Sequence, residues 1–320
     1  MASRLFAPYG PRPEAPGGAR FAWWIDALVL LAVAALLAGI VAAARRWTAP
    51  LSPHPDIRLS PSVLPAYAGL STLRMAIAYV LSIVFSLVYA RVAASSRRAE
   101  RVLLPLLDVL QSIPILSFMP GVVLALVALF PRNNVGLELA AVVLIFTSQA
   151  WNLAFGFYQS LLGVPRELRE AAAMARLGGW QRFTRLELPS GMITLIWNSM
   201  MSWAGGWFFL MAAEQFTLGD KQFQLPGLGS YLQAAATNGD VGALLLGLLA
   251  LVVVVVLLDQ LLWRPLVAWS ERFKSEQTEA AEVATSPVLA ALRRSAFVDG
   301  LHVRALAPLG EALDRVSLRL

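Results

Sequence analysis

Apolar residues in this chain fall in long uncharged blocks, without the alternating or 3.6-residue periods that mark a half-buried strand or helix of a soluble core. The blocks cover 27–44, 75–90, 109–131, 139–165, 188–213 and 241–258. A helix needs about 20 apolar residues to cross the hydrocarbon core, within a range of about 17–25. Five blocks meet that length. The block 75–90 meets it by extending back through 65–73, with Arg74 inside the span. The pattern predicts an all-α membrane protein of six transmembrane helices, at 21–44, 66–90, 103–131, 139–163, 189–213 and 241–263. A segment 1–20 rich in Pro, Gly and Arg precedes them, and a polar, partly helical tail or linker, 264–320, follows. The block from 21 to 44 is too long for a signal peptide and lacks a small-residue cleavage site, so it reads as a retained first span. The six-span pattern contains no internal repeat.

Composition agrees. The 320 residues are 58% hydrophobic and 14% charged, and mean hydropathy is +0.64; soluble domains carry about 25% charged residues. Without cysteine there are no disulfides or thiolate ligands. The two histidines, His54 and His302, lie outside the predicted spans, which argues against a membrane-embedded Ser-His or zinc enzyme.

The net charge of +6 is explained by topology. With the N-terminus in the cytoplasm, 20 of the 26 Lys and Arg residues fall inside and five outside, and Arg74 lies within a span. That asymmetry follows the positive-inside rule and places both termini in the cytoplasm. A nucleic-acid surface, with basic and aromatic residues interleaved on one face, is not indicated. The loop 45–65 holds five prolines and is expected to be extended. Pro114 and Pro120 interrupt the third block beside Gln111 and Ser112. They imply either an ordinary kink or a span facing a pathway where freed carbonyls find partners.

The inner loop between the fourth and fifth spans is the most distinctive segment. Pro165 suits a first helical turn. Glu167 and Glu170 lie near the positive end of that helix and Arg176 near its negative end. Gly178 or Gly179 is expected to supply the left-handed stop. A second short helix is expected over 180–186, with Pro189 opening the fifth span. Ala171, Ala172, Ala173 and Ala175 leave the first helix nearly bare, suited to close docking in a groove of another protein.

At Glu170-Ala171-Ala172, Gly178-Gly179 and Leu188-Pro189 the loop resembles the EAA loop of type I ATP-binding-cassette importer permeases. Trp180-Gln181-Arg182-Phe183 resembles the nitrate/sulfonate/taurine branch most. The resemblance extends from about Leu59 to Trp263 and includes the outer Leu225-Pro-Gly-Leu-Gly-Ser-Tyr231. It departs at Arg176, where the family has glycine, so the helix is expected to run slightly longer here. The resemblance implies a bacterial inner-membrane subunit that forms half of a translocation pathway. Its implied partners are a cytoplasmic ABC ATPase dimer, a periplasmic substrate-binding protein, and a second permease as a copy, a paralogue or the other half of a tandem chain. The loop would enter a cleft of the ATPase. No Walker A pattern occurs in the chain, so ATP and Mg would sit on the ATPase, and no cofactor is expected here.

Charged and polar residues at membrane depth mark the candidate pathway: Arg74, Gln111, Ser112, Gln149, Asn152, Asn198 and Glu214. Arg74 either attracts an anion or pairs with an acid such as Glu214. With the branch resemblance, the first alternative suggests an anionic solute such as nitrate, a sulfonate or bicarbonate. Gln149, Asn152, Asn198 and Ser199 either line a path or bond between helices. Asp26, Asp108, Glu138 and Asp259, at block edges, read as solvated helix ends. The competing function is an ATP-independent secondary transporter or channel, which would show inverted repeats and midplane ion sites.

Overall fold

In the computed structural model, residues 23–52, 55–218, 221–273 and 286–292 are described. The segment 1–20, both histidines' neighbourhoods and most of the 264–320 tail lie outside them. The chain divides into two units, one of 36–158 with 198–258, the other of 1–35, 159–197 and 259–320.

Helices dominate. α1 (Trp23–Trp47) is followed, among the described residues, by backbone without helix over 48–52 and 55–60, and a 3-10 turn at Pro61–Val63 leads into α2 (Leu64–Ser95), so the loop expected over 45–65 is helical at both its ends. α3 (Arg97–Ser112) and α4 (Ile115–Leu129) meet at a 92° bend. The single span expected over 103–131 is therefore two helices. Pro114 disfavours helical geometry at the residue before it, and Ile113 is extended, at φ −74° and ψ 121°. Pro105 and Pro120 sit inside α3 and α4 without breaking them. α4 alone is about 22 Å long at 1.5 Å per residue, shorter than the ~30 Å hydrocarbon core.

α5 (Val135–Leu162) packs against α2 through small residues. Ser71, Met75, Ala78, Ser82, Ser86, Ala90 and Ala93 form one buried stripe of α2 at spacings of three and four. Ser82 Oγ lies 3.3 Å from the carbonyl of Phe146, and Ser86 Oγ donates to that of Ala150 at 3.0 Å. Such side chains let helix backbones approach closely in lipid, where each interhelical bond contributes about 0.6 kcal/mol.

After the short α6 (Arg166–Met174) and α7 (Gly179–Arg182), α8 (Leu188–Glu214) runs into a hairpin of β1 (Gln215–Leu218) and β2 (Lys221–Gln224), paired Gln215 with Gln224 and Phe216 with Phe223. This short strand pair sits in a chain that is otherwise mostly helical among the described residues, in line with the helical expectation. α9 (Leu228–Thr237) and α10 (Val241–Leu258) follow, then α11 (Arg264–Ser270) and α12 (Pro287–Leu292). Among the described residues, four helices are long and apolar enough to cross a membrane, five if the bent α3–α4 pair is one span. α8 is long enough but too polar for that count. It carries Asn198, Ser199 and Ser202, and several of its side chains, Ser199 and Ser202 among them, are buried in protein and not exposed to lipid.

Within the first unit the segments predicted to be outside meet at one end. Leu51 N–H donates to Arg132 O, Asn134 N–H to Ala49 O, and Asn134 Nδ2 to Arg46 O. Phe223 of β2 and Leu225 just after it pack with Met119, Val123 and Leu137. Tyr231 of α9 donates its hydroxyl to Leu59 O and packs edge-on against Tyr67.

Candidate functional site

The loop between α5 and α8 is built from its helix ends. Pro165 caps α6, and Arg166 pairs with Glu170 across one turn at 2.8 Å on an exposed face. Arg169 reaches back to the carbonyl of Leu161, satisfying a free acceptor at the end of α5. α6 does not run long. It ends at Met174, and Arg176 adopts the left-handed φ of 50°, the one non-glycine to do so among the described residues. Arg176 N–H bonds to Ala173 O and Leu177 N–H to Ala172 O. These two bonds form a Schellman close with arginine at the position glycine prefers. The expectation that Gly178 or Gly179 makes the left-handed stop is thereby corrected. Gly178, extended at φ −62° and ψ 163°, caps the next helix, and Gly179 begins it.

α7 covers only 179–182 of the helix expected over 180–186; the rest is a π turn at Phe183–Glu187 that flows into α8 at Leu188. Pro189 cannot donate to the carbonyl four residues back, and its ring would crowd that carbonyl. The wider turn, with Leu188 N–H bonded to Phe183 O, relieves both problems. A second π turn, Asp259–Trp263, stands at the same distance before Pro265. On α6, Glu170 and Ala171 are exposed but Ala172 is buried, so the bare helix has one committed face. Leu168, Met174 and Trp180 are exposed large hydrophobics, Met174 at 80%. The alanine pattern had not singled out these three residues.

Most of the pathway candidates fall into two groups within the first unit, with Gln149 and Asn198 in neither. Arg74 and Glu214 form a buried ion cluster with Glu138. Arg74 Nε and Nη2 make a bidentate pair with Glu138 at 2.6 and 2.8 Å, and Nη1 bonds Glu214 Oε1 at 2.7 Å and Pro226 O at 3.0 Å. Glu214 also accepts from Ser71 Oγ and, at 2.7 Å, from the Gly229 N–H at the start of α9. Arg74 is 1% exposed and Glu214 fully buried, so of the two alternatives for Arg74, pairing holds. Glu138, 3% exposed, is not a solvated helix end, because the guanidinium takes both its oxygens. A Cβ on Gly227 would lie 2.2 Å from Glu214 Oε1, so the close approach of carboxylate and backbone needs that glycine. Gly227 itself is extended, and space, not conformation, sets the requirement.

Gln111 and Asn152 instead line an open cleft of about 350 Å³, with Asp108, Trp151, Phe155 and Phe209 among the walls. Asp108 is exposed, as expected, but faces this cleft. Ser112 is exposed beside it and donates to Asp108 O at 2.6 Å. Gln149 lies buried away from the cleft, its amide nitrogen 3.3 Å from Met75 Sδ. Asn198 is half-buried; its carbonyl accepts from Asn152 Nδ2, and its amide closes on Gly156. Thr147, Ser148, Trp151 and Phe155 share the cleft with Asn152 because they stand three and four residues apart along α5. That spacing was the available signal, hidden by the apolar run around it.

No curated protein matches the chain. Residues 82–262, more than half of it, match the family described as binding-protein-dependent transport system inner membrane component, and this match runs from the small-residue face of α2 through the α6 loop to α10, so the chain belongs to that family of transport membrane components.

Proposed function

We propose that the chain is the permease subunit of an ATP-binding-cassette importer, forming half of the pathway for a small solute with a second permease. In this reading six segments cross the bacterial inner membrane, counting α3–α4 and α8, and both termini are cytoplasmic. The α6 loop docks into a cytoplasmic ATPase dimer, which holds ATP and Mg, while a periplasmic binding protein delivers the solute. The observation that carries the coupling assignment is the end of α6. Its Schellman close turns the chain back at Arg176 and leaves Met174 the most exposed large apolar side chain on a polar loop. An aliphatic anchor beside the Arg166–Glu170 pair suits a protein groove better than water. The anchor makes Met174 the residue that fills the ATPase cleft. Closure of the ATPase then pulls on α5 and α8, to which the loop is covalently joined.

The expectation of an anionic solute rested on the branch resemblance and on Arg74. Four of the five guanidinium N–H groups of Arg74 are spent on Glu138, Glu214 and Pro226, so this residue lends an anion no support. The secondary-transporter alternative leaves the α6 loop without a role.

The test is co-purification with a cytoplasmic ABC ATPase co-expressed with this chain. Met174→Asp and Glu170→Lys are expected to abolish it while the protein still inserts, and Met174→Leu to retain it. A charge at Ala172 is a poorer probe, since that residue is buried and its carbonyl closes the helix. Undiminished ATPase binding by Met174→Asp and Glu170→Lys would sink the coupling assignment.

A further inference from the structure

The cleft between the α3–α4 bend, α5 and α8 is dominated by acceptors. Asp108 brings a full negative charge, and its one side-chain partner is Gln111, whose Nε2 donates to Oδ1 at 3.0 Å. That bond leaves the Gln111 amide oxygen unspent. Asn152 Nδ2 gives its hydrogens to Asn198 O and Ser202 Oγ, at 3.2 and 2.9 Å, which leaves its Oδ1 as the free end. Thr147 and Ser148 donate their hydroxyls to carbonyls of their own helix, Leu144 O and Ile145 O, and so offer only lone pairs outward. Against these acceptors stand one remaining amide hydrogen of Gln111 and the indole N–H of Trp151.

Among the described residues, no basic side chain lines the cleft. Arg101, the nearest on the helix of Asp108, is two turns away, about 10 Å along the axis and so near the screening length of physiological salt. The rest of the wall is apolar, from Trp151, Phe155 and Phe209 with the aliphatic Ile115, and Trp151 is held edge-on against Phe85. An oxyanion needs donors and positive charge, and this cleft offers neither in quantity. A carboxylate facing aromatic rings is the arrangement that attracts an organic cation, through charge and through the negative ring faces.

We infer that this cleft takes a solute bearing a protonated amine or quaternary ammonium group, with Asp108 as counter-charge and Trp151, Phe155 and Phe209 as its apolar wall. The inference rests on the permease reading and gives it a substrate class. About 350 Å³ accommodates a small organic cation but not a peptide.

The test is equilibrium binding of radiolabelled choline to the full-length chain in detergent. Saturable binding is expected at millimolar or lower concentration, displaced by tetramethylammonium and not by nitrate or methanesulfonate. Asp108→Asn is expected to weaken it at least tenfold and Trp151→Leu several-fold, with ATPase co-purification unchanged in both. Lack of saturable choline binding, displacement by the anions, or full binding by Asp108→Asn would each overturn the cation assignment. A wild-type chain that binds choline but never co-purifies with an ATPase would instead overturn the permease reading, so the two failures are distinguishable.

Discussion

Arg74 shows how far a single residue can be read. Its place inside a predicted span marks it as functional or paired, and Glu214 is a plausible partner from sequence. Glu138 is not legible in the same way. One acid at the edge of an apolar block looks the same in sequence whether water or a guanidinium solvates it, and the choice depends on which face of α5 meets α2. The cluster predicts a specific asymmetry. Breaking a buried ion group by removing one partner costs about 3–5 kcal/mol, because the remaining charge is stranded, whereas replacing the whole group with neutral residues can be nearly free. Arg74→Met should therefore lower the unfolding temperature in detergent sharply, leaving two carboxylates facing each other. Arg74→Met combined with Glu138→Gln and Glu214→Gln should recover most of the loss. A triple variant no better than Arg74→Met would show that packing, not charge, sets the cost.

Elements were legible where length and composition decide them, and less so where one backbone angle does. The long helices α1, α2, α5, α8 and α10 follow from the apolar blocks. The 92° break between α3 and α4 is signalled by Pro114, but Pro105 and Pro120 give the same signal and break nothing. The paired strands β1 and β2 have no apolar block to announce them. The end of α6 was misplaced for a related reason: glycines attract the left-handed position in sequence reading, yet here they begin α7 and Arg176 takes that position. The cost of left-handed backbone in an L-residue is about 1–2 kcal/mol, offset here by two capping bonds. A β-branched residue fits that conformation worse than arginine. Arg176→Val should consequently open the cap, and amide hydrogen exchange at Leu177, whose N–H bonds Ala172 O, should accelerate about tenfold or more. Arg176→Gly should leave it protected. Equal protection in the two variants would mean that neighbouring contacts, not backbone conformation, hold the close.

For the whole molecule the open question is how many times the chain crosses the membrane, and α8 decides it. By hydropathy alone α8 does not qualify, and the count stops at four or five. A helix that packs one face against protein can carry polar residues on that face, and α8 buries Ser199 and Ser202 while exposing Trp197, Met201 and Phe208. The segments at either end of α8 also differ in charge. The preceding loop carries the basic residues Arg166, Arg169, Arg176, Arg182 and Arg185, while Lys221 is the one basic residue of 215–240. If α8 crosses, the loop at Ala173 and the turn at Asn238 face opposite compartments; if it does not, they face the same one. Because the chain has no cysteine, single substitutions report accessibility without a background to subtract. Ser52→Cys and Asn238→Cys should react with a membrane-impermeant maleimide added to spheroplasts. Ser95→Cys and Ala173→Cys should react only after permeabilisation. All four positions are exposed on the protein, so a failure to label reflects the membrane and not burial. Labelling of Ala173→Cys and Asn238→Cys from the same side would place α8 within one leaflet or within the protein. If that shared side is the outer one, the loop lies away from the cytoplasmic ATPase and the importer reading fails with it.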